Sequence, residues 1–305
     1  MSDSGTFADP RDEAQPLKTK LRRFREELRG AHHAATEQND RAKDAFQLSV
    51  RQEIDRLLAA ERYADPRRLE RHGFKAYSQG DEDGILQEIF RRIGAGGRSF
   101  CETGVGYGLE NNTVYLLHSG WSGAWIEADA ERARWVRHDL APAIAKGQLK
   151  LIDASATAEN INDLMREADV PGELDLWSLD IDGNDYHVLK ALTAVRPRVL
   201  VLEYNAKFAP PVSWVMPYEP EHRWSGNDKF GASLTALTGL AAEKGYALVG
   251  CSVTGANAFF VRNDLLDDRF QPPYTAENYY QPIRYYLIAG MAVGHPPTFM
   301  PSASL

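Results

Sequence analysis

The feature that most constrains the fold of this 305-residue chain is an alternation of short apolar runs with amphipathic segments between Asp81 and Val261. Parallel neighbours in a sheet need a crossover that usually contains a helix, so this alternation predicts an α/β domain with a mostly parallel sheet covered on both faces. The last two runs are too close together for such a crossover, and we expect them to pair antiparallel. The runs cover residues 99–102, 124–127, 149–152, 174–180, 199–202, 247–251 and 258–261.

Composition and charge exclude several classes of protein. Hydrophobic residues make up 43% of the chain and charged residues 26%, as in ordinary globular proteins. The formal net charge is −8, so a broad basic face for nucleic acid is not expected. We find no signal-peptide core and no run near the roughly 20 apolar residues of a membrane span. The two cysteines, Cys101 and Cys251, lie in apolar runs, and we expect a cytoplasmic protein.

Three further segments flank the alternating region, which we expect to form a domain over residues 71–270. Residues 1–16 are polar, and we expect them to be disordered. Residues 17–70 carry apolar residues at spacings of three and four, which predicts a helical hairpin or a short coiled coil. This segment either packs on its own domain or joins copies of the chain through residues 17–62. Residues 271–305 form a tyrosine-rich extension, expected to pack on the domain or on a partner subunit.

A glycine-rich turn with the spacing E-x-G-x-G-x-G follows the first apolar run. It contains Glu102, Gly104, Gly106 and Gly108, and a helix is expected from about Asn111. Glycines allow a sharp turn and a close approach by a ligand. The third glycine comes two residues after the second, whereas in the dinucleotide-binding fingerprint it comes three residues after the second. Glu102 is placed to meet a cationic ligand, such as the sulfonium and amino-acid end of S-adenosylmethionine.

Acidic residues also end the next two apolar runs. Glu127 ends the second run, about 20 residues past the glycines, where a carboxylate accepts hydrogen bonds from ribose hydroxyls. The third run ends in Asp153 and Ala154, where a carboxylate can hold an adenine amino group. Because the carboxyl ends of parallel strands meet at one edge, we expect Glu102, Glu127 and Asp153 to converge on a single nucleoside-shaped crevice.

Five segments between Tyr77 and Val261 resemble the FkbM-like branch of the class I S-adenosylmethionine-dependent methyltransferases. They are Tyr77-Ser-Gln-Gly-Asp-Glu-Asp83, the glycine-rich turn, Gly120-Trp-Ser-Gly-Ala-Trp-Ile-Glu127, Leu179-Asp-Ile-Asp-Gly-Asn-Asp185 and Asn257-Ala-Phe-Phe260. The resemblance implies a Rossmann-like, seven-stranded sheet with an antiparallel last strand, and O-methylation of a carbohydrate or small secondary metabolite. In this chain Asn184 stands where the family commonly has Glu. The residues that would bind S-adenosylmethionine are Glu102, Gly104, Gly106, Asn111, Glu127, Asp153, Ala154 and Asp180.

Methyl transfer from a sulfonium needs an aligned acceptor and removal of the proton from an acceptor hydroxyl. Candidates for the reaction centre follow the fourth and fifth runs, namely Asp180, Asp182 and Glu203, with His187 as a candidate base. Asp180, Glu203 and Asn205 also offer the oxygen ligands that Mg²⁺ prefers, and a bound Mg²⁺ can hold a diol acceptor. In the alternative reading, the carboxylates bind methionine or substrate directly.

The segment from Ala209 to Phe230 is a long loop that contains Trp214, His222 and Trp224. Loops of this length are often lids or binding loops. In the alternative interpretation, the aromatic residues of this loop only pack against one another. Two other functions remain open at this level. One is a nucleotide-dependent oxidoreductase, and the other is a non-catalytic binding or assembly protein that uses residues 17–62.

Overall fold

The computed structural model describes residues 10–288, and the side chains of its first helix are described throughout only from residue 36. The chain divides into two compact units, with the boundary between Arg56 and Leu57. Residues 1–9, which we expect to be disordered, lie outside the described residues. So do residues 289–305, the end of the C-terminal extension. Within residues 10–288, none of the helices has the length and apolarity needed to cross a bilayer.

The N-terminal segment is a single helix, α1 (Pro10–Leu58). Its first residue is a proline, which is favoured at this position because the first helical N–H groups have no partner inside the helix. The helix has no break, so the predicted hairpin is wrong, and residues 10–16, which we expected to be disordered, belong to α1. Phe24 and Leu48 are exposed on it. A coiled coil or oligomer formed through this helix stays a prediction.

The second unit is built on a seven-stranded sheet with the order β3-β2-β1-β4-β5-β7-β6. Strands β1 to β5 pair in parallel, and β7 runs antiparallel to both β5 and β6. This is the Rossmann-like, seven-stranded and mostly parallel sheet with an antiparallel last strand that the sequence predicts. The strands are β1 (Ser99–Thr103), β2 (Ser122–Glu127), β3 (Leu149–Asp153), β4 (Leu176–Leu179), β5 (Val199–Glu203), β6 (Tyr246–Cys251) and β7 (Asn257–Arg262).

Helices cover both faces of the sheet, and each face has its own apolar core. Helices α6, α7 and α8 pack on the face that Cys101, Trp177 and Leu200 present. Helices α2, α3 and α4 pack on the opposite face, with Phe100 and Leu176. Because both faces of the sheet are covered, every residue of β1 and β4 is buried, including the polar Glu102 and Ser178. The helices after α1 are α2 (Glu82–Ile93), α3 (Val114–His118), α4 (Ala130–Asp139), α5 (Ala141–Ala145), α6 (Ile161–Glu167), α7 (Asp185–Ala191), α8 (Leu234–Glu243) and α9 (Ala276–Tyr279).

The described part of the C-terminal extension, residues 271–288, packs on the sheet unit. Tyr279 and Tyr285 are buried. The Tyr204 hydroxyl, one residue past β5, donates a 2.7 Å hydrogen bond to the Gln281 carbonyl. The Arg284 guanidinium donates to the Val253 carbonyl, just past β6. The extension therefore reaches the carboxyl edge of the sheet, where β5 and β6 end.

Candidate active site

The carboxyl ends of four neighbouring strands bring the candidate residues to one edge of the sheet. Thr103 at the end of β1 is in register with Ile126 of β2 and with Leu179 of β4. Leu179 in turn pairs with Leu202 of β5. The glycine-rich turn after β1 therefore lies between the ends of β2 and β4, and Asp180 follows β4 beside Glu203.

The glycine-rich turn depends on the absence of side chains at two positions. Gly104 has a φ of +85°, and a Cβ there would lie 1.6 Å from the carbonyl oxygen of Asp180. Gly106 has a φ of +56°, and nothing lies within 4 Å of the place its Cβ would take. Left-handed backbone at both positions favours glycine. The turn is thus packed tightly against Asp180 on one side and open at Gly106, where a ligand can approach the backbone.

Glu127 lies beside this turn. One carboxylate oxygen accepts a 2.7 Å hydrogen bond from the Gly106 N–H, and the other accepts one of 2.8 Å from the Asp129 N–H. Each oxygen keeps a further lone pair, so the carboxylate can still accept from a ribose hydroxyl. Asp153 is in register with Glu127 and is exposed, while the Ala154 N–H donates to the Glu127 carbonyl. Glu127, Asp153 and Ala154 therefore lie together, and their binding of ribose and adenine stays a prediction.

Glu102 lies on β1 and makes its hydrogen bonds inside the protein. Its carboxylate is buried and accepts hydrogen bonds from the backbone N–H groups of Asn112 and Thr113 and from the Thr113 hydroxyl. Burial raises the pKa of Glu102. The side chain therefore holds the start of α3, and its convergence with Glu127 and Asp153 on a ligand stays a prediction. Asn111 is also committed to the turn, because its amide nitrogen donates to the Val105 carbonyl.

A cluster of three acids, which we call the acid cluster, follows β4 and β5. Asp180, Asp182 and Glu203 each offer a carboxylate oxygen, and these atoms lie within 4.8 Å of one another. Burial, and then the charge of Asp182 beside it, raise the pKa of Asp180 well above its usual value. Burial and the neighbouring acids do the same to the pKa of Glu203, whose Oε2 is buried without a hydrogen-bond partner. Like charges this close are stabilised by protons or by a cationic ligand.

The loop that carries Asp182 is shaped by another acid. Asp185 accepts hydrogen bonds from the N–H groups of Ile181 and Gly183, at 2.9 and 3.0 Å. Burial raises the pKa of Asp185 to about 6. Asp182 has a φ of +54°, a left-handed conformation that is unfavourable for a residue with a side chain. This strained backbone places Asp182 in the acid cluster.

Two predicted residues are engaged elsewhere. A His187 ring nitrogen forms a 2.8 Å hydrogen bond with the Met216 carbonyl, and the ring packs on Tyr218. The Asn205 amide donates to the carbonyls of Asp228 and Phe230. Neither joins the acid cluster. The Asn205 oxygen accepts a 3.3 Å hydrogen bond from the Lys207 N–H, and metal binding by Asp180, Glu203 and Asn205 stays a prediction. Asp182 is a further carboxylate beside Asp180 and Glu203.

The loop of residues 209–230 is tied directly to the backbone around Asp182. The Asn184 side chain donates to the Glu219 carbonyl at 2.7 Å and accepts from the Glu219 N–H at 3.2 Å. The Gly231 N–H donates to the Gly183 carbonyl, and the His222 ring contacts Gly183. The loop therefore covers the residues after β4. The sequence marked Asn184 only as a departure from the family, and nothing in its pattern indicated this contact.

Two further elements reach the same edge. The Asn257 amide, opposite Glu203 in the β5–β7 register, donates to the buried Glu82 at 3.1 Å. The segment before α2, marked by its Tyr77–Asp83 motif, thus lies at this edge. Tyr285 comes from the C-terminal extension, and burial and then the charges of Glu203, Asp180 and Asp182 raise its pKa. Sequence analysis missed Tyr285, since tyrosine richness was the only signal.

No protein-family model matches the chain, and no curated protein matches it in sequence. The assignment to the FkbM-like branch therefore stays a prediction. Among solved structures, the pyocyanin biosynthetic protein PhzM is 15% identical with a TM-score of 0.38, over 58% of this chain and 54% of that one, so the chain spans about half of its length.

Two other solved structures align with most of their own length. An O-methyltransferase from Bacillus cereus, in complex with S-adenosylhomocysteine, is 16% identical with a TM-score of 0.37, over 71% of this chain and 89% of that one. A methyltransferase from Aquifex aeolicus that depends on S-adenosylmethionine is 12% identical with a TM-score of 0.37, over 68% and 95%. At this distance the likeness says nothing about what this chain binds.

Proposed function

We propose that this protein is an S-adenosylmethionine-dependent methyltransferase that methylates a hydroxyl group of a carbohydrate or small secondary metabolite. The observation that carries the proposal is the direct packing of Gly104 on the backbone of Asp180. Through this contact, a turn suited to a nucleoside lies next to an acid cluster suited to a cation. S-adenosylmethionine combines these two chemistries in a single molecule.

The charges at the site favour a methyl donor over a dinucleotide. S-adenosylmethionine carries a sulfonium and an ammonium group, which relieve the repulsion among Asp180, Asp182 and Glu203. The pyrophosphate of NAD is negative and would add to that repulsion. In this proposal Glu127, which accepts from the Gly106 N–H, also binds the ribose hydroxyls, and Asp153 with Ala154 binds the adenine.

The same arrangement suits transfer to a hydroxyl group. The acceptor oxygen must lie in line with the methyl carbon and the sulfur, and it must lose its proton as the carbon–oxygen bond forms. The C–S bond breaks with its electron pair on sulfur, which gives neutral S-adenosylhomocysteine. In this proposal Asp180, Asp182 and Glu203 orient the acceptor, and the loop of residues 209–230 excludes water.

A divalent cation also fits the acid cluster. The Glu203 Oε2 is buried without a partner, and carboxylate oxygens are the ligands that Mg²⁺ prefers. Asp180, Asp182 and Glu203 would hold such an ion, which would lower the pKa of an acceptor hydroxyl. If the reaction needs this ion, EDTA abolishes methyl transfer and Mg²⁺ restores it. Unchanged turnover in EDTA would remove the metal from the proposal.

Parallel calorimetric titrations with S-adenosylhomocysteine, S-adenosylmethionine and NAD⁺ test the function itself. We expect saturable binding of the two sulfur compounds and none of NAD⁺. Glu127→Gln should weaken this binding, whereas Glu131→Gln, an exposed acid in α4, is the matched control. Binding of NAD⁺ alone would support the oxidoreductase alternative. Binding of none of them, together with loss of an oligomer on deletion of residues 17–62, would support the assembly protein.

A further inference from the structure

His222 lies in the loop of residues 209–230, and its ring packs against the backbone beside the acid cluster. Its side chain is only 8% exposed. A Cβ built on Gly183 would lie 2.5 Å from the His222 Cδ2, so only glycine at position 183 admits the ring this closely. Gly183 directly follows Asp182 of the acid cluster. The ring is thus held one residue away from a proposed reaction-centre carboxylate.

The two ring nitrogens of His222 have different surroundings. Nδ1 lies 3.7 Å from a carboxylate oxygen of Glu219. Nε2 is buried and has no hydrogen-bond partner. A buried polar atom without a partner costs free energy, and such atoms are often satisfied by a ligand or a water molecule. Histidines that act as general bases often have one ring nitrogen beside a carboxylate, while the other ring nitrogen is free to take a proton.

The surrounding contacts fix the ring in this position. The His222 backbone N–H donates to the Glu219 carbonyl at 2.9 Å, and Asn184 binds both backbone polar groups of Glu219. Lys229 donates to the Glu219 carboxylate at 2.7 Å. The charged groups around the ring are therefore Glu219 and Lys229 on its own loop, and Asp182 next to Gly183 on the loop it packs against.

We propose that His222 Nε2 binds the acceptor hydroxyl and takes its proton during methyl transfer, an inference that rests on the proposed function. The acceptor O–H bond breaks as its oxygen forms the bond to the methyl carbon, and the proton moves to Nε2. The C–S bond breaks, its electron pair stays on sulfur, and S-adenosylhomocysteine leaves as a neutral thioether. The Glu219 carboxylate at Nδ1 stabilises the resulting imidazolium until the proton passes to water.

This assignment replaces His187, the base expected from the sequence. A ring nitrogen of His187 already bonds to the Met216 carbonyl, so that side chain serves to hold the loop. His222 lies in the same loop, and its buried Nε2 makes no hydrogen bond. The acceptor, which the loop of residues 209–230 must admit and then enclose, supplies the missing partner of this nitrogen.

The test compares His222→Gln with His138→Gln in the full chain. His138 is also beside a carboxylate, with Nδ1 2.8 Å from an Asp139 oxygen, but its ring is exposed on α4. With catechol and methyl α-D-glucopyranoside as probes, we expect His222→Gln to lower kcat by about 10²- to 10⁴-fold and His138→Gln to leave it unchanged. Affinity for S-adenosylhomocysteine should stay within about twofold in both, and imidazole should partly restore His222→Ala.

A second measurement needs no acceptor. Nitrogen NMR of ¹⁵N-histidine-labelled protein at pH 8, assigned by loss of a signal in His222→Gln, reports which ring nitrogen carries the proton. We expect the proton on Nδ1 and a bare Nε2. A proton on Nε2, or a His222→Gln variant with the wild-type kcat, would overturn the proposal. Failure of the wild-type chain to bind S-adenosylhomocysteine would instead refute the proposed function, whatever the NMR result.

Discussion

The Cα of Gly104 faces the carbonyl oxygen of Asp180 so closely that no side chain fits between them, since a Cβ would lie 1.6 Å from that oxygen. We therefore expect Gly104→Ala to lower the free energy of unfolding by about 3 kcal/mol and to abolish binding of S-adenosylhomocysteine. Urea unfolding and calorimetry measure the two effects.

Gly147→Ala is the control for the backbone conformation alone. Gly147 also has a positive φ, +67°, but nothing lies within 4 Å of its Cβ position. This variant should cost about 1 kcal/mol and leave ligand binding unchanged. Equal losses of stability in the two variants would show that the contact between Gly104 and Asp180 does not contribute to the free energy of unfolding.

Glu127→Gln should weaken binding of S-adenosylhomocysteine without unfolding the domain. The carboxylate accepts from the N–H groups of Gly106 and Asp129, and an amide has one acceptor oxygen in place of two. A hydrogen bond to a charged group contributes about 1.5 to 3 kcal/mol, so Kd should rise about 10- to 100-fold. Glu131→Gln should leave Kd unchanged. An unaltered Kd in Glu127→Gln would place the ribose elsewhere.

The placement of Glu127 and Asp153 could be predicted from the sequence, whereas that of Glu102 could not. Successive β–α–β units bring the ends of β2 and β3 side by side, and an acid at each end needs no further information. Glu102 lies on β1, where alternate side chains point to opposite faces. It shares the face of Phe100, where α3 packs, so its direction depends on a tertiary contact that no local pattern encodes.

The two histidines of the site show the same limit. Both lie close in sequence to recognisable features, His187 in the helix after β4 and His222 in the long loop. Which ring nitrogen is used depends on how the loop lies over the acid cluster, and the loop has no periodicity from which its path can be predicted. The acid cluster itself was predictable because Asp180 directly follows β4 and Glu203 ends the neighbouring β5.

The stability of the domain should fall as the pH rises above about 4. Burial raises the pKa of Asp185 to about 6, and the pKa values of Asp180 and Glu203 are raised further. In the unfolded chain such carboxyls titrate near about 4, so the folded state binds the extra protons. Their favourable contribution is complete below about pH 4 and is lost as the pH rises through the folded pKa values.

Urea unfolding between pH 5 and pH 8 measures this dependence. The free energy of unfolding should decrease across that range, by about 1.4 kcal/mol from Asp185 alone, because about half of the total contribution of this residue is already lost at pH 5. Glu203→Gln should flatten the profile and raise stability at pH 8 while it weakens S-adenosylhomocysteine binding. A stability that increases from pH 5 to pH 8 in the wild-type chain would contradict the raised pKa values of the cluster.

Asn184 should control how often the loop of residues 209–230 opens. Its amide donates to the Glu219 carbonyl and accepts from the Glu219 N–H, and Asn184→Ala removes both hydrogen bonds. Two such bonds contribute about 2 kcal/mol, so amide hydrogen exchange in residues 214–230 should become about 10- to 100-fold faster. Asn227 makes its side-chain hydrogen bonds within the loop, to Ser225 and Lys229, and Asn227→Ala is the control.

Exchange in the sheet should stay unchanged in both variants, because Asn184 and Asn227 lie outside its strands. If the loop encloses the acceptor, Asn184→Ala should also raise the acceptor KM more than the Kd of S-adenosylhomocysteine, since the donor lies on the glycine-rich turn in the proposed function. Equal exchange in Asn184→Ala and Asn227→Ala would mean that other contacts, such as His187 with Met216, hold the loop closed without Asn184.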